Sequence, residues 1–137
     1  GENTHSLILG ADTIVVLGSE IMGKPTNAAH AEEMLLKLTG NQHKVMTGVS
    51  ILNCNSEKVY CRIVTSKVNM QKISLRELQL YSRSEEVRDK AGAYAIQGKG
   101  GAFVEKVIGS ESNVIGLPLD ETLALLREAG YFKLDEL

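Results

Sequence analysis

A nearly continuous apolar run close to the start of the chain, Leu7–Leu17 (LILGADTIVVL), constrains the fold more than any other feature. Its hydrophobicity and β-branched residues predict a buried strand that lies centrally in a sheet. Asp12 interrupts this run, and burying an unpaired carboxylate costs several kcal/mol. We therefore expect Asp12 to cap a turn, to pair with a buried lysine or arginine, to hold a metal, or to move a proton.

Composition places the chain among ordinary globular domains. It has 137 residues, of which 43% are hydrophobic and 23% charged, so we expect one domain over residues 1–137. The net charge of −2 argues against a nucleic-acid polymer as partner, and no apolar run is long enough to span a membrane. Since no signal peptide precedes the first strand, we expect a cytoplasmic protein in which Cys54 and Cys61 are reduced.

Strand-like and helix-like segments alternate along the chain, which predicts an α/β or α+β layer fold. After the first strand we expect a loop or short hairpin, and then a helix that Asn27 caps and Gly40 ends. The predicted apolar face of this helix is Ala31, Met34, Leu35 and Leu38. Two alternating segments around a turn at Asn53–Glu57 predict an antiparallel hairpin.

The second half of the chain predicts two further helices and a strand pair. The capping box at Ser74–Glu77 begins a helix that runs towards Tyr81. The segments AFVEKVIG and NVIG predict paired strands, which makes Gly109–Glu121 a strand-to-helix junction. Asp120 or a neighbour caps the last helix, which Gly130 ends. The apolar face of that helix is predicted to be Leu123, Leu126 and Ala129.

The first stretch that suggests chemistry combines Asp12 and Thr13 with Lys24. A tight turn after the strand could return the ammonium of Lys24 towards Asp12. A lysine suits phosphate oxygens, and a carboxylate suits a divalent cation or a water molecule. The structural alternative is a salt bridge at the edge of a sheet.

The second stretch, residues 89–103 (DKAGAYAIQGKGGAF), is interrupted by glycines. Around Gly98 these permit backbone shapes whose N–H groups can face phosphate oxygens or a base edge. Lys90 and Lys99 add positive charge, and Gln97 has the donor and acceptor that suit a pyrimidine edge. The spacing fits neither a Walker P-loop nor a dinucleotide fingerprint, so a flexible, turn-rich connection is the alternative.

Three segments, GADTIVV…GKP, HKVMTGVSI and DKAGAYAIQGKGGAFVEKVIGSESNVIGLPL, resemble in order and spacing the hallmark segments of the Maf nucleoside triphosphate pyrophosphatases. The likeness extends from about Leu9 to about Gly130. It implies an elongated α/β protein, similar to the inosine triphosphate pyrophosphatases, with a mixed sheet flanked by helices. It also implies hydrolysis of a nucleoside triphosphate to the monophosphate and pyrophosphate with a divalent cation, Mg²⁺ or Mn²⁺.

The same resemblance suggests roles for individual residues. Asp12 would lie at the metal site and accept a proton from the attacking water, and Lys24 would contact phosphates. Thr13 and Gln97 would belong to the residues that select the nucleotide. The Ile-Gln-Gly sequence that contains Gln97 is similar to that of the family branch that acts on dTTP and UTP. The whole predicted substrate-binding set is Thr13, Lys24, Lys90, Gln97 and Gly98.

One hallmark of the family has no counterpart in this sequence. Family members carry an N-terminal Ser-x-Ser-Pro-Arg-Arg segment whose arginines bind phosphate, together with a strand and a helix. Its absence predicts impaired activity and an open sheet edge. The alternatives to an active enzyme are a nucleotide-binding or regulatory module linked to restraint of septum formation in cell division, and a structural remnant. The resemblance also implies a possible homodimer.

Overall fold

In the computed structural model, which describes residues 6–131, an antiparallel five-stranded sheet forms the frame. Its strands are β1 (Leu7–Leu17), β2 (Glu20–Met22), β3 (Gln42–Asn53), β4 (Val59–Met70) and β5 (Val104–Ile108). The helices are α1 (Ala28–Leu38), α2 (Leu75–Ser82), α3 (Glu111–Ile115) and α4 (Leu119–Glu128). The strand order is β2-β1-β3-β4-β5, and each of these neighbours pairs antiparallel. The α/β class is therefore as predicted, but within the described residues the sheet is antiparallel, where a mixed sheet was expected.

Alternate residues of β3 are buried. These residues are His43, Val45, Thr47, Val49 and Ile51.

Helix α1 buries the four residues predicted for its apolar face. At its start Asn27 Oδ1 accepts a hydrogen bond from the backbone N–H of His30 at 2.8 Å. At its end Gly40 has φ +70°, so the helix has the predicted boundaries. No helix within residues 6–131 is long and apolar enough to cross a membrane.

The hairpin of β3 and β4 and the following helix also confirm the sequence predictions. Ile51 lies opposite Tyr60, and the turn occupies the residues between the two strands. Cys54 and Cys61 are both exposed and form no disulfide. Ser74 Oγ accepts from the backbone N–H of Glu77 at 3.2 Å and so begins α2 as a capping residue.

The prediction that β1 is a buried central strand is wrong for most of its length. Val15 is the buried residue of β1, whereas the side chains of Ile8 and Leu9 are 57% and 45% exposed. Strand β2 pairs with β1 only from Val15 to Leu17. Within the described residues, the rest of that edge has no neighbouring strand. Burial is set by the elements that cover a strand, which apolar composition alone does not reveal.

The segment NVIG, predicted as a strand, lies at the end of helix α3 and its C-cap. Ser110 Oγ accepts from the backbone N–H of Asn113 at 3.1 Å, which begins the helix. Gly116 has φ +132° and ends it. A serine cap and a closing glycine therefore outweigh the β-branched pair Val114 and Ile115, whose preference for strands is weak outside a sheet.

Helix α4 exists as predicted, but its apolar face is only partly the predicted one, because Ala129 is buried and Leu126 packs against the core whereas Leu123 does not. The buried residues are Thr122, Leu125 and Ala129. Leu123, predicted to be inside, is 38% exposed. The polar Thr122 tolerates burial because its hydroxyl donates to the carbonyl oxygen of Pro118 at 2.6 Å. Pro118 is the capping residue, and Asp120 lies in the first turn instead.

Asn113 fastens α3 to the sheet. Its side chain is fully buried, and Nδ2 donates to the carbonyl oxygens of Val45 at 3.0 Å and Val64 at 3.1 Å. It also lies 3.1 Å from Ser66 Oγ. One amide group therefore satisfies backbone acceptors on both β3 and β4 and fixes the position of α3.

Replacing Asn113 with alanine is expected to reduce the free energy of unfolding by roughly 2–4 kcal/mol, because it removes the hydrogen bonds that a fully buried amide makes to the sheet. Urea denaturation measures this change. The matched control is Asn55→Ala in the exposed β3–β4 turn, which should change stability by about 0.5 kcal/mol or less. Equal effects of the two substitutions would contradict the fastening role of Asn113.

His43 predicts a pH dependence of stability. It is 1% exposed, its Nε2 lies 2.7 Å from the hydroxyl of Tyr94, and burial lowers its pKa to about 4. An unfolded histidine has a pKa of about 6.5. Between these two values the unfolded chain binds a proton that the folded protein does not, so acidification favours unfolding.

The wild-type protein should therefore lose roughly 3 kcal/mol of stability through His43 as the pH falls from about 6.5 to 4. His43→Gln keeps a hydrogen-bonding side chain but does not titrate. Between about pH 6.5 and 4 the free energy of unfolding of His43→Gln, measured by urea denaturation, should fall by about 3 kcal/mol less than that of the wild type. Identical pH dependences for the two proteins would overturn this prediction.

Candidate functional site

A cleft of about 220 Å³ opens where β1, the loop after β2, residues 89–94 and the end of α3 meet. Four charged residues line it: Asp12, Lys24, Asp89 and Lys90. Apolar and small residues complete its walls, among them Tyr94, Ile115 and Gly116. The two lysines of the predicted substrate-binding set therefore line one cavity, together with Asp12.

A backbone hydrogen bond joins the two loops that carry these lysines. The N–H of Gly92 donates to the carbonyl oxygen of Gly23 at 3.1 Å. Gly92 has φ +72°, and a Cβ atom there would lie 2.9 Å from Cγ2 of Val15. Only glycine meets both requirements, so Gly92 allows residues 89–94 to pack directly against β1.

The four charged side chains of the cleft are exposed and have no protein partner. Within residues 6–131 no ion pair or hydrogen bond involves the carboxylates of Asp12 and Asp89 or the ammonium groups of Lys24 and Lys90. The salt-bridge alternatives for Asp12 are therefore not realised. Two carboxylates and two ammonium groups are available to a ligand.

The structure corrects the expectation that Asp12 is buried. Asp12 is exposed and lies on the part of β1 whose outer edge is open. It is opposite Gly48 in the register, so no side chain crowds the carboxylate from the neighbouring strand. Because the carboxylate is exposed, its position in the strand carries no large desolvation cost that a partner would have to offset.

Thr13 belongs to a hydrogen-bonded chain behind the cleft. Its Oγ1 lies 2.9 Å from Oγ1 of the buried Thr47. Thr47 in turn donates to the carbonyl oxygen of Asn113 at 3.4 Å. Thr13 thus lines the cleft while it connects β1 through β3 to α3.

Gln97 and Gly98, although adjacent, have different surroundings. Gln97 lines a smaller cavity of about 40 Å³ that shares Lys90 and Tyr94 with the cleft. Gly98 lies outside the linings of both cavities and packs against Glu86. The structure therefore brings Asp12, Thr13, Lys24 and Lys90 together and places Gln97 next to them, whereas Gly98 lies apart.

Sequence reasoning missed Asp89 as a residue of the cleft. The available signal was its position beside Lys90, which repeats the combination of carboxylate and ammonium offered by Asp12 and Lys24. It also missed Glu86, whose contacts are made with residues of the glycine-rich loop. No local pattern around Glu86 indicates those contacts.

The acidic residues of the cleft fit a divalent cation that is shared with a substrate. Within residues 6–131, no group of three or more histidine, cysteine, aspartate or glutamate residues could hold a metal alone. Mg²⁺ is commonly bound by one or two carboxylates together with water and substrate phosphates. Asp12 and Asp89 are the residues of the cleft lining that could contribute carboxylates to such a set.

Comparison with known proteins supports the resemblance seen in the motifs. The family model of Maf-like proteins matches residues 2–129. A dTTP/UTP pyrophosphatase of Dictyoglomus thermophilum is 46% identical over 127 residues, covering 93% of this chain and 66% of the relative. A dTTP/UTP pyrophosphatase of Myxococcus xanthus is 50% identical over 123 residues, covering 90% of this chain and 61% of the relative.

A dTTP/UTP pyrophosphatase of Salmonella typhimurium is 50% identical over 119 residues, covering 87% of this chain and 59% of the relative. The chain thus spans 59–66% of the length of these three curated relatives. The family model covers nearly all of the chain, including both lysine-bearing loops and the glycine-rich segment. The chain therefore belongs to the Maf-like protein family.

Proposed function

We propose that this chain hydrolyses dTTP and UTP to the nucleoside monophosphate and pyrophosphate. The observation that carries the proposal is the set of four unpaired charges around one cleft. A nucleoside triphosphate with a divalent cation offers negative charge to the two lysines and positive charge to the two aspartates. The names of the relatives that match this chain agree with this substrate.

Each charged residue then has a task. Lys24 and Lys90 bind phosphate oxygens and offset the charge that builds up as the bond between the α and β phosphates breaks. Asp12, uncrowded opposite Gly48, accepts the proton of the attacking water. Asp12 and Asp89 would hold Mg²⁺ or Mn²⁺, which supplies further charge neutralisation at the phosphates when it is bound.

Base selection falls to the smaller cavity beside the cleft. The carboxamide of Gln97 can accept from N3–H and donate to O4, a pattern that dTTP and UTP share and CTP lacks. Thr13 contributes through its position at the lining, held by Thr47. Gly98, outside both cavities, would act only through the shape of its loop.

Replacing Asp12 with asparagine keeps the shape of the residue but removes the base, so kcat for dTTP and UTP should fall at least about 100-fold. Pyrophosphate release with Mg²⁺ or Mn²⁺ measures the rate, with CTP and GTP included to define selectivity. Asp120→Asn, at an exposed position of α4, is the matched control and should retain wild-type activity. Unchanged turnover in Asp12→Asn would exclude Asp12 as the base.

Lys24→Gln and Lys90→Gln should each raise KM for dTTP about tenfold or more, because each removes one charged contact to phosphate. Steady-state kinetics at fixed ionic strength measures KM, and Lys106→Gln on the exposed surface of β5 is the control. If the two cleft variants behave like the control, the cleft is not the phosphate site.

A second candidate is nucleotide binding without hydrolysis. Among the described residues no arginine lines the cleft, although arginines commonly stabilise phosphoryl transition states. Calorimetric binding of dTTP without pyrophosphate release would favour this module over the enzyme. A homodimer and a link to septum formation remain predictions from the family resemblance, and a cytoplasmic location remains a prediction from the sequence.

A further inference from the structure

Glu86 accepts hydrogen bonds from three donors at the glycine-rich loop. The backbone N–H groups of Lys99 and Gly100 donate to its Oε1 and Oε2, respectively, each at 3.0 Å. The hydroxyl of Tyr81 donates to Oε2 as well. One carboxylate therefore holds two consecutive amides of the loop and one side chain of α2.

Tyr81 extends this attachment to the other side of Gln97. Its hydroxyl oxygen accepts a hydrogen bond from the backbone N–H of Ala95 at 3.0 Å. The ring packs edge-on against Phe103, with ring centroids 5.0 Å apart. Gln97 consequently lies in a short arch that is fastened before it at Ala95 and after it at Lys99.

The glycines of the loop are required by this attachment. A Cβ atom on Gly98 would lie 1.9 Å from Oε1 of Glu86, and one on Gly100 would lie 2.5 Å from the hydroxyl of Tyr81. Such separations are far shorter than atomic contacts allow, so both positions need glycine for the loop to reach its anchors. The loop amides of Lys99 and Gly100 are therefore occupied by a carboxylate of the protein itself.

The charge on Glu86 is stabilised by these contacts. Burial alone would raise the pKa of Glu86, but the hydrogen bonds from Tyr81 and from the amides of Gly100 and Lys99 outweigh that effect and lower it. The carboxylate is thus ionised at neutral pH, and hydrogen bonds to a charged acceptor are stronger than those to a neutral one.

We infer that Glu86 is a positioning residue that sets base selectivity by holding the arch in which Gln97 lies. The inference rests on the proposed function, in which Gln97 contacts the pyrimidine. An amide distinguishes uracil from cytosine only if its oxygen and nitrogen meet the base in one orientation. Glu86 restricts the backbone on which that orientation depends, without lining either cavity itself.

The test compares kcat/KM for UTP with kcat/KM for CTP in the full chain. Glu86→Gln removes the charge and leaves one oxygen for three donors, so the UTP/CTP ratio should fall about tenfold. Most of the loss for UTP should appear in KM, with a smaller change in kcat. Glu85→Gln is the matched control, because Glu85 is exposed and makes no side-chain hydrogen bond among the described residues.

A double-mutant cycle distinguishes positioning from general damage. Gln97→Ala should lower the UTP/CTP ratio as Glu86→Gln does, and the double variant should show no further decrease. Tyr81→Phe gives a second test if Glu86→Gln folds poorly, because it removes the anchor at Ala95. Hydrogen exchange at the amides of Lys99 and Gly100 should accelerate in Glu86→Gln and remain unchanged in Glu85→Gln.

The possible failures are distinguishable. If the wild-type chain neither binds nor hydrolyses UTP, the proposed function fails, and the role of Glu86 in selectivity fails with it. If the wild type selects UTP over CTP and both Glu86→Gln and Tyr81→Phe retain that ratio, only the inference about Glu86 is overturned. Equal losses for UTP and CTP would also overturn it, since they would show a structural role alone.

Discussion

The geometry of the cleft depends on one backbone contact, the hydrogen bond from Gly92 to Gly23. The two loops that it joins are far apart in sequence, and each carries one lysine and lies close to β1. Like charges repel, so Lys24 and Lys90 do not come together by their own attraction. Hydrogen bonding and the close packing of Gly92 on Val15 hold them at one cavity. The protein thereby places two ammonium groups at one cavity, alongside two carboxylates, before any ligand arrives.

Local signals in the sequence were sufficient to predict where several helices begin and end. Asn27 and Gly40 bound α1 because capping uses atoms within a few residues of the helix end. The same physics explains the error at α3, where Ser110 and Gly116 decided the structure and the apolar residues between them suggested a strand. The exposure of Asp12 was not predictable in this way, since it depends on which elements cover β1.

The candidate site was predictable to a similar extent and for the same reason. Motif spacing identified Lys24 and Lys90, but it could not show why Gly98 is a glycine. The answer lies twelve positions earlier in the chain, at Glu86, whose carboxylate could not keep its position beside a Cβ atom on Gly98. The glycine-rich loop was predicted to bind an anion through its backbone N–H groups. Two of these groups, at Lys99 and Gly100, bind the carboxylate of Glu86 in the same protein.

The exposure of the four charged residues also affects how a substrate would reach them. At physiological ionic strength charges in water are screened over about 8 Å, whereas buried pairs are screened much less. Because Lys24 and Lys90 are accessible to salt, their attraction for a triphosphate would weaken as the ionic strength rises. In the open cleft a nucleotide would therefore associate rapidly at low salt and dissociate quickly at high salt. Ionic strength would act mainly on these association and dissociation rates.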